Sequence, residues 1–139
     1  HDVEDLQRSY DAAGVRATVV DYLDAMGQAW AAAEVALSRA GAGSVAEAWA
    51  NATPTLFLPN PYHRDQHQRH NAQPMVDGGG AVMLRDEIDP RRNADLLEPV
   101  LLELLGDATR RRGMHDAARR TCPPDGAAAV ARWIDDALG

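Results

Sequence analysis

One stretch, residues 36–51 (A-L-S-R-A-G-A-G-S-V-A-E-A-W-A-N), constrains this chain most. It reads as a short apolar strand, a glycine turn at Gly41-Ala42-Gly43, and a helix opening at Ser44. That succession is the repeating unit of an open α/β sheet, whose ligands settle where strands end and helices begin. Backbone amides at such a helix start have no intrahelical partner, and the helix dipole favours an anion, most simply a phosphate. Glu47 stands three residues past Ser44, so the two also fit a capping box, which would only satisfy helix-end donors. Both readings stay open on spacing alone. A carboxylate there repels phosphate but accepts hydrogen bonds from a sugar diol, and a nucleotide offers both groups.

The same alternation runs through most of the chain. Helical spacing over 3–13 ends at Gly14, a natural left-handed stop. A β-branched run at 15–20 predicts a strand, followed by a short helix over 26–33 with Met26 and Trp30 on one face. Strands are predicted at 35–37, 55–58 and 81–84, with helices at 44–51 and from Asp65 to about Val76. Residues 85–93 read as a polar connector, and the last third as helices at 98–105, 108–121 and 125–138. Strand-to-strand gaps of this length suit crossover connections. The fold class expected is therefore α/β, a Rossmann-like parallel sheet with helices on both faces and a helical C-terminal third.

Composition narrows the function. A formal charge of −7 disfavours nucleic acid as a partner. The single cysteine, Cys122, rules out an intrachain disulfide and a cysteine zinc cluster. No apolar run approaches the length of a membrane span, and no signal peptide is visible. Ser38 has no His/Asp partner at a recognisable spacing, so a hydrolase triad is unsupported.

A second candidate site is residues 61–74, P-Y-H-R-D-Q-H-Q-R-H-N-A-Q-P, again after a strand. His63, Asp65, Gln66, His67, Gln68, His70, Asn71 and Gln73 make it far more polar than a helix that only packs on a sheet. Gln, Asn and His suit sugar hydroxyls, since each offers donors and acceptors without a fixed charge. The plainer alternative is Asp65 capping the helix with Gln68 as box partner. His63, His67 and His70 would share a face of one continuous helix and suggest zinc. Pro61 and a cap at Asp65 leave His63 outside that helix. Tyr22-Leu23-Asp24-Ala25-Met26 follows the first predicted strand and could clamp a flat base. Asp86, Glu87 and Asp89 read as a solvated loop, and 110–112 as a solvated arginine face.

Taken together, S-R-A-G-A-G-S-V-A-E (38–47), P-Y-H-R-D-Q-H-Q-R-H-N-A-Q-P and Y-L-D-A-M (22–26) resemble one family. It is the C-terminal domain of the bacterial undecaprenyl-diphospho-muramoylpentapeptide β-N-acetylglucosaminyltransferases, which form lipid II; 22–26 resembles their F-I-D-D-M segment. The resemblance implies a GT-B hexosyltransferase whose C-terminal domain holds UDP-N-acetylglucosamine. It implies that Leu23 meets uracil through its backbone and Met26 lines that pocket. Ala42, Gly43 and Ser44 would hold the diphosphate, Glu47 the ribose hydroxyls, and His67, Gln68 and Asn71 the N-acetylglucosamine. Some members carry Gln-Gln where this chain has His67-Gln68.

The family's first strand and glycine-rich phosphate loop have no match before Val15, and its acceptor domain is not represented. The expectation is a partial donor-binding domain over 1–139, N-terminally truncated and inactive alone, with no resident cofactor and no catalytic residue assigned. The lipid-linked muramoyl-pentapeptide acceptor, and the cytoplasmic face of the plasma membrane, would be met only by a full enzyme. Alternatives are another GT-B UDP-sugar transferase, such as a glycolipid synthase, or a non-catalytic nucleotide-binding module.

Overall fold

In a computed structural model, which describes residues 2–62 and 65–138, three parallel strands form one sheet in the order β1-β2-β3. They are β1 (Ala36–Ser38), β2 (Thr55–Phe57) and β3 (Ala81–Met83). The helices are α1 (Val3–Ala12), α2 (Met26–Ala32), α3 (Ala42–Ala50), α4 (His67–Asp77), α5 (Pro90–Gly106), α6 (Ala108–Thr121) and α7 (Gly126–Leu138). The register pairs Ala36 with Thr55 and Thr55 in turn with Ala81, and Ser38 with Phe57 and Phe57 in turn with Met83.

The central strand is buried at every residue, so it shows no polar alternation, and its one hydroxyl, on Thr55, donates to Thr53 C=O at 2.7 Å. Its side chains divide between two cores. Phe57 and Ala81 join Ala40, Val45, Ala48, Ala72 and Met75 on the face covered by α3 and α4. Leu56 joins Leu104 and Met114 on the opposite face, covered by α5 and α6, with Val82 and Val100 packed beside them. Helices thus cover both faces of a parallel sheet, as the alternation predicts. Helix α6 contributes to both cores, Met114 to one and Ala118 to the other. Gly80 admits that approach: a Cβ there would lie 2.8 Å from the Cβ of Ala118 and 3.0 Å from its Cα.

The segment 15–20, expected as a strand, forms no ladder. The Gln7 side chain satisfies its backbone instead: Nε2 donates to Ala17 C=O at 3.0 Å, and Oε1 accepts from Val19 N–H at 3.0 Å. β-branched residues favour extended backbone, but a strand exists only where a neighbour supplies the hydrogen bonds. The expected four strands are therefore three. Gly14, by contrast, ends α1 with φ +68°, as its position suggested.

Two helix starts also differ from expectation. Helix α3 opens two residues early, with Gly41 at its N-cap and no side-chain cap, so the Ser44–Glu47 capping box does not form. Helix α4 opens at His67 behind Gln66, which is left-handed at φ 48°, and has no side-chain cap. Asp65 bonds to His67 rather than to a box partner, and Gln68 reaches Asn60. The connector predicted at 85–93 gives way at Pro90 to α5, which Asp89 caps by accepting from Arg92 N–H at 2.9 Å.

Candidate functional site

In a parallel sheet each crossover helix runs back against the strands, so its N-terminus returns to their carboxyl edge. Helix α3 begins four residues after β1 ends, and α4 ten residues after β2 ends, so both starts lie at that edge. Helix α2 precedes β1, and its Trp30 bonds to Glu47 of α3 and to Thr53 ahead of β2. The glycine turn and the polar helix singled out in the sequence therefore both begin at that edge.

The start of α3 is open. Its first i→i−4 bond runs from Val45 N–H to Gly41 C=O at 2.9 Å, so Ala42, Gly43 and Ser44 present amides with no helical acceptor. Ala42 and Gly43 are exposed, Ser44 half-buried. A Cβ added at Gly43 would meet nothing within 4 Å. Just before the turn, Ala40 is fully buried with φ 61°, a left-handed conformation that L-residues adopt at a cost of about 1–2 kcal/mol. Two contacts hold it: Ala40 N–H donates to Ser38 Oγ at 3.3 Å, and Asn71 Nδ2 donates to Ala40 C=O at 3.4 Å. Asn71, expected to read a sugar, here ties α4 to the turn.

Glu47 stands one turn further along α3, exposed, and its Oε2 accepts from Trp30 Nε1 at 2.9 Å. Met26 is the first residue of α2, one helical turn before Trp30 and 41% exposed; Leu23 lies in the preceding loop at 39%. On α4, Gln68 Oε1 accepts from Asn60 N–H at 2.7 Å, which leaves its amide N–H groups as donors. His67 is partly exposed, with Nδ1 2.9 Å from Asp65 Oδ1. The His67 side-chain hydrogen bond, reinforced by the His67 backbone N–H, holds the Asp65 carboxyl below its ordinary value. Beside α4, on its β3 side, a cleft of about 600 Å³ is lined by Asn60, Gln66, Arg69, Met83, Arg85 and Asp86. None of the α3 residues lines it.

Sequence reasoning missed two arginines and an aspartate. Asp86, expected in a solvated loop, is 5% exposed. Its carboxylate accepts from Arg39, from Asn93 Nδ2 at 2.7 Å and from Ile88 N–H at 2.8 Å. Arg39 also donates to Leu58 C=O at 3.3 Å, so one side chain joins the carboxyl ends of all three strands. Arg111, placed on a solvated face, donates to Leu104 and Leu105 C=O at 2.7 Å and pairs with Glu34 at 2.8 Å. It closes the C-terminus of α5, where the free carbonyls attract a cation. Arg110 pairs with Glu103. An arginine between a strand end and a glycine turn was the one visible hint of Arg39.

Among the described residues, no group of three His, Cys, Asp or Glu could hold a metal ion. His63 lies outside them, so the histidine triplet is represented only by His67 and His70. Among them, too, no helix is long and apolar enough to cross a membrane.

With this geometry in hand, the chain can be set beside known proteins. Residues 1–129 match the glycosyltransferase family 28 C-terminal domain. The chain belongs to that family. A Salinibacter ruber relative is 44% identical over 119 residues, covering 86% of this chain and 31% of its own length. A Geobacter metallireducens relative is 32% identical over 131 residues, covering 94% of this chain and 35% of its own length. Both are named UDP-N-acetylglucosamine--N-acetylmuramyl-(pentapeptide) pyrophosphoryl-undecaprenol N-acetylglucosamine transferases. The crystal structure of Acinetobacter baumannii MurG superposes with a TM-score of 0.80 at 25% identity, over 96% of this chain and 38% of that one. The family 28 chain thus spans about a third of the length of the relatives it matches.

Proposed function

We propose that this chain is the donor-binding part of an inverting glycosyltransferase that moves N-acetylglucosamine from UDP-N-acetylglucosamine to a lipid-linked muramoyl-pentapeptide, forming lipid II. The observation that carries this reading is the open start of α3, where three amides without helical acceptors stand one turn from a carboxylate. Ala42, Gly43 and Ser44 take the diphosphate, and Glu47 takes the ribose diol. Leu23 and Met26 flank the uracil, while His67, Gln68 and Asn71 meet the sugar hydroxyls.

In the reaction the acceptor hydroxyl attacks the anomeric carbon, and the bond from that carbon to the diphosphate oxygen breaks. Negative charge grows on the departing UDP. Amides already aimed at it stabilise that charge without reorganising. The acceptor, and the cytoplasmic face of the plasma membrane where it resides, would be met by the complete enzyme rather than by this domain.

Calorimetric titration with UDP-N-acetylglucosamine and UDP-glucose tests the reading. The first is expected to bind more tightly, and Glu47→Ala to weaken both by about tenfold or more through loss of charge-assisted hydrogen bonds. Equal affinity for the two donors, or a Glu47→Ala protein that binds like wild type, would overturn it.

Gly43→Ala separates ligand binding from folding. Its methyl meets nothing within 4 Å beyond its chain neighbours and its own helix backbone, so thermal stability should hold or rise by about 0.5 kcal/mol. The same methyl stands over the amides assigned to the diphosphate, and UDP affinity should fall about tenfold, close to the worth of one charge-assisted hydrogen bond. Undiminished UDP binding would show that the turn is no diphosphate cradle.

A further inference from the structure

We infer that Trp30 is a positioning residue that holds Glu47 for the ribose and so sets the preference for ribose over deoxyribose; this rests on the donor-binding reading above. Trp30 is not among the residues that the resemblance assigns to the site, and it lies 17 positions from Glu47 in sequence.

A glutamate on an exposed helix surface ordinarily samples several rotamers, and ordering it on ligand binding costs affinity. Here the indole Nε1 donates to Glu47 Oε2 at 2.9 Å and fixes the carboxylate in advance. Trp30 is itself anchored. Its ring packs against the core that contains Val45 and Ala48 of α3. Its carbonyl accepts from the hydroxyl of Thr53, a residue only 2% exposed, at 2.9 Å. The backbone of Glu47 is fixed at the end of α3, because Asn51 N–H and Nδ2 both donate to its carbonyl, at 3.0 and 2.9 Å.

An ionised carboxylate has about four acceptor sites. The indole uses one and leaves Oε1 and the rest of Oε2 for two vicinal hydroxyls. An indole N–H only donates, so it cannot compete for those hydroxyls as a second acceptor. Trp30 also follows Met26 by one turn on α2, so the helix that lines the base pocket carries the group that sets the ribose carboxylate. Base and ribose recognition are thereby linked through one rigid element.

The test compares UDP with 2′-deoxy-UDP on the whole chain. Wild type is expected to prefer UDP by about tenfold, the worth of one hydrogen bond to a charged group. Trp30→Phe should lose most of that preference while binding 2′-deoxy-UDP nearly as wild type does. Trp30→His, which can restore a donor, should recover part of it. Glu47→Ala should abolish the preference outright. A preference intact in Trp30→Phe but gone in Glu47→Ala overturns the positioning role and leaves the ribose assignment standing. A preference intact in Glu47→Ala overturns the ribose assignment itself.

The Trp30 indole N–H resonance gives a readout that needs no change at Trp30. It should shift on adding UDP, shift less with 2′-deoxy-UDP, and lose both responses in Glu47→Ala. A resonance indifferent to UDP would overturn the inference.

Discussion

Asp86→Ala is expected to lower the unfolding free energy by about 2–4 kcal/mol, since it leaves two part-buried donors without an acceptor at about 1–3 kcal/mol each. Three donors converge on this carboxylate, from Arg39, Asn93 and Ile88. Alanine would leave the Ile88 amide and the Asn93 side chain without an acceptor, and would strand the Arg39 charge. Asn93 is itself engaged, since its Oδ1 accepts from Glu87 N–H at 2.8 Å, so the loss would spread into the first turn of α5. The side chain of Arg39 is 58% exposed, so salt should screen its share while the two part-buried bonds from Ile88 and Asn93 persist. Urea unfolding of wild type and variant, at low and high salt, measures both parts. A loss below about 1 kcal/mol, the level of an ordinary exposed pair, would show that the network is only a surface contact.

The same carboxylate makes a pH prediction with a definite sign. Burial pushes its pKa up, but the hydrogen bonds from Arg39, Asn93 and Ile88 pull harder, and it settles below the ordinary 3.8. A carboxyl whose folded-state pKa is depressed contributes stability above its unfolded pKa, and that contribution is lost as pH falls through the folded value. The stability gap between wild type and Asp86→Asn should therefore be full at about pH 6 and shrink steadily below about pH 4. A gap that stays constant across that range would mean Asp86 titrates alike in both states.

What the sequence discloses and conceals about this fold follows from the range of each interaction. The runs at 55–57 and 81–83 are visible because strands of a sheet covered on both faces carry no alternating charged or strongly polar residues. The helix at 108–121 is visible at both ends because its stop and start signals are local, with Asp107 accepting from Thr109 and Arg110 N–H at 2.9 Å. The segment 15–20 misleads for the complementary reason. Its residues favour extended backbone, but whether a strand lies beside it is not written in the segment.

The site divides the same way. The turn, the polar helix and the segment 22–26 are each contiguous in sequence and therefore legible there as candidates. The partners that hold them are not contiguous. Arg39 and Asp86 stand 47 positions apart, and Asn71 reaches Ala40 across 31. No periodicity reports such a pair. The capping box shows how a local rule can mislead when its geometry is displaced: with the helix opening at Ala42, Ser44 falls on the third helical position and Glu47 is released to meet Trp30. The amides that the box would have shielded are left open.

Phe57→Ala is the second large effect, and it ties this turn to the core beneath it. Phe57 is fully buried, the largest such side chain among the described residues, and it ends β2 at the carboxyl edge. It shares its cluster with Ala40, the left-handed residue that launches the turn, and with Ala72 and Met75 of α4. Removing the ring is expected to cost about 3–5 kcal/mol through lost burial and the cavity left behind. Against a total of about 5–15 kcal/mol for a domain, that is a large fraction, and the melting temperature should fall by about 10–20 °C. A cavity below Ala40 also removes packing that holds its costly backbone conformation, so UDP affinity should drop even where the variant remains folded. Because a ligand that binds only the folded state stabilises it by mass action, UDP at a hundred times its Kd should restore about 2.7 kcal/mol. Calorimetric melts of Phe57→Ala with and without UDP read all three effects. A small shift in melting temperature would mean that the core closes over the gap. A large shift with unchanged UDP affinity would mean that Asn71 and Ser38 hold the turn without help from the core, and that the binding edge and the sheet beneath it are energetically separable.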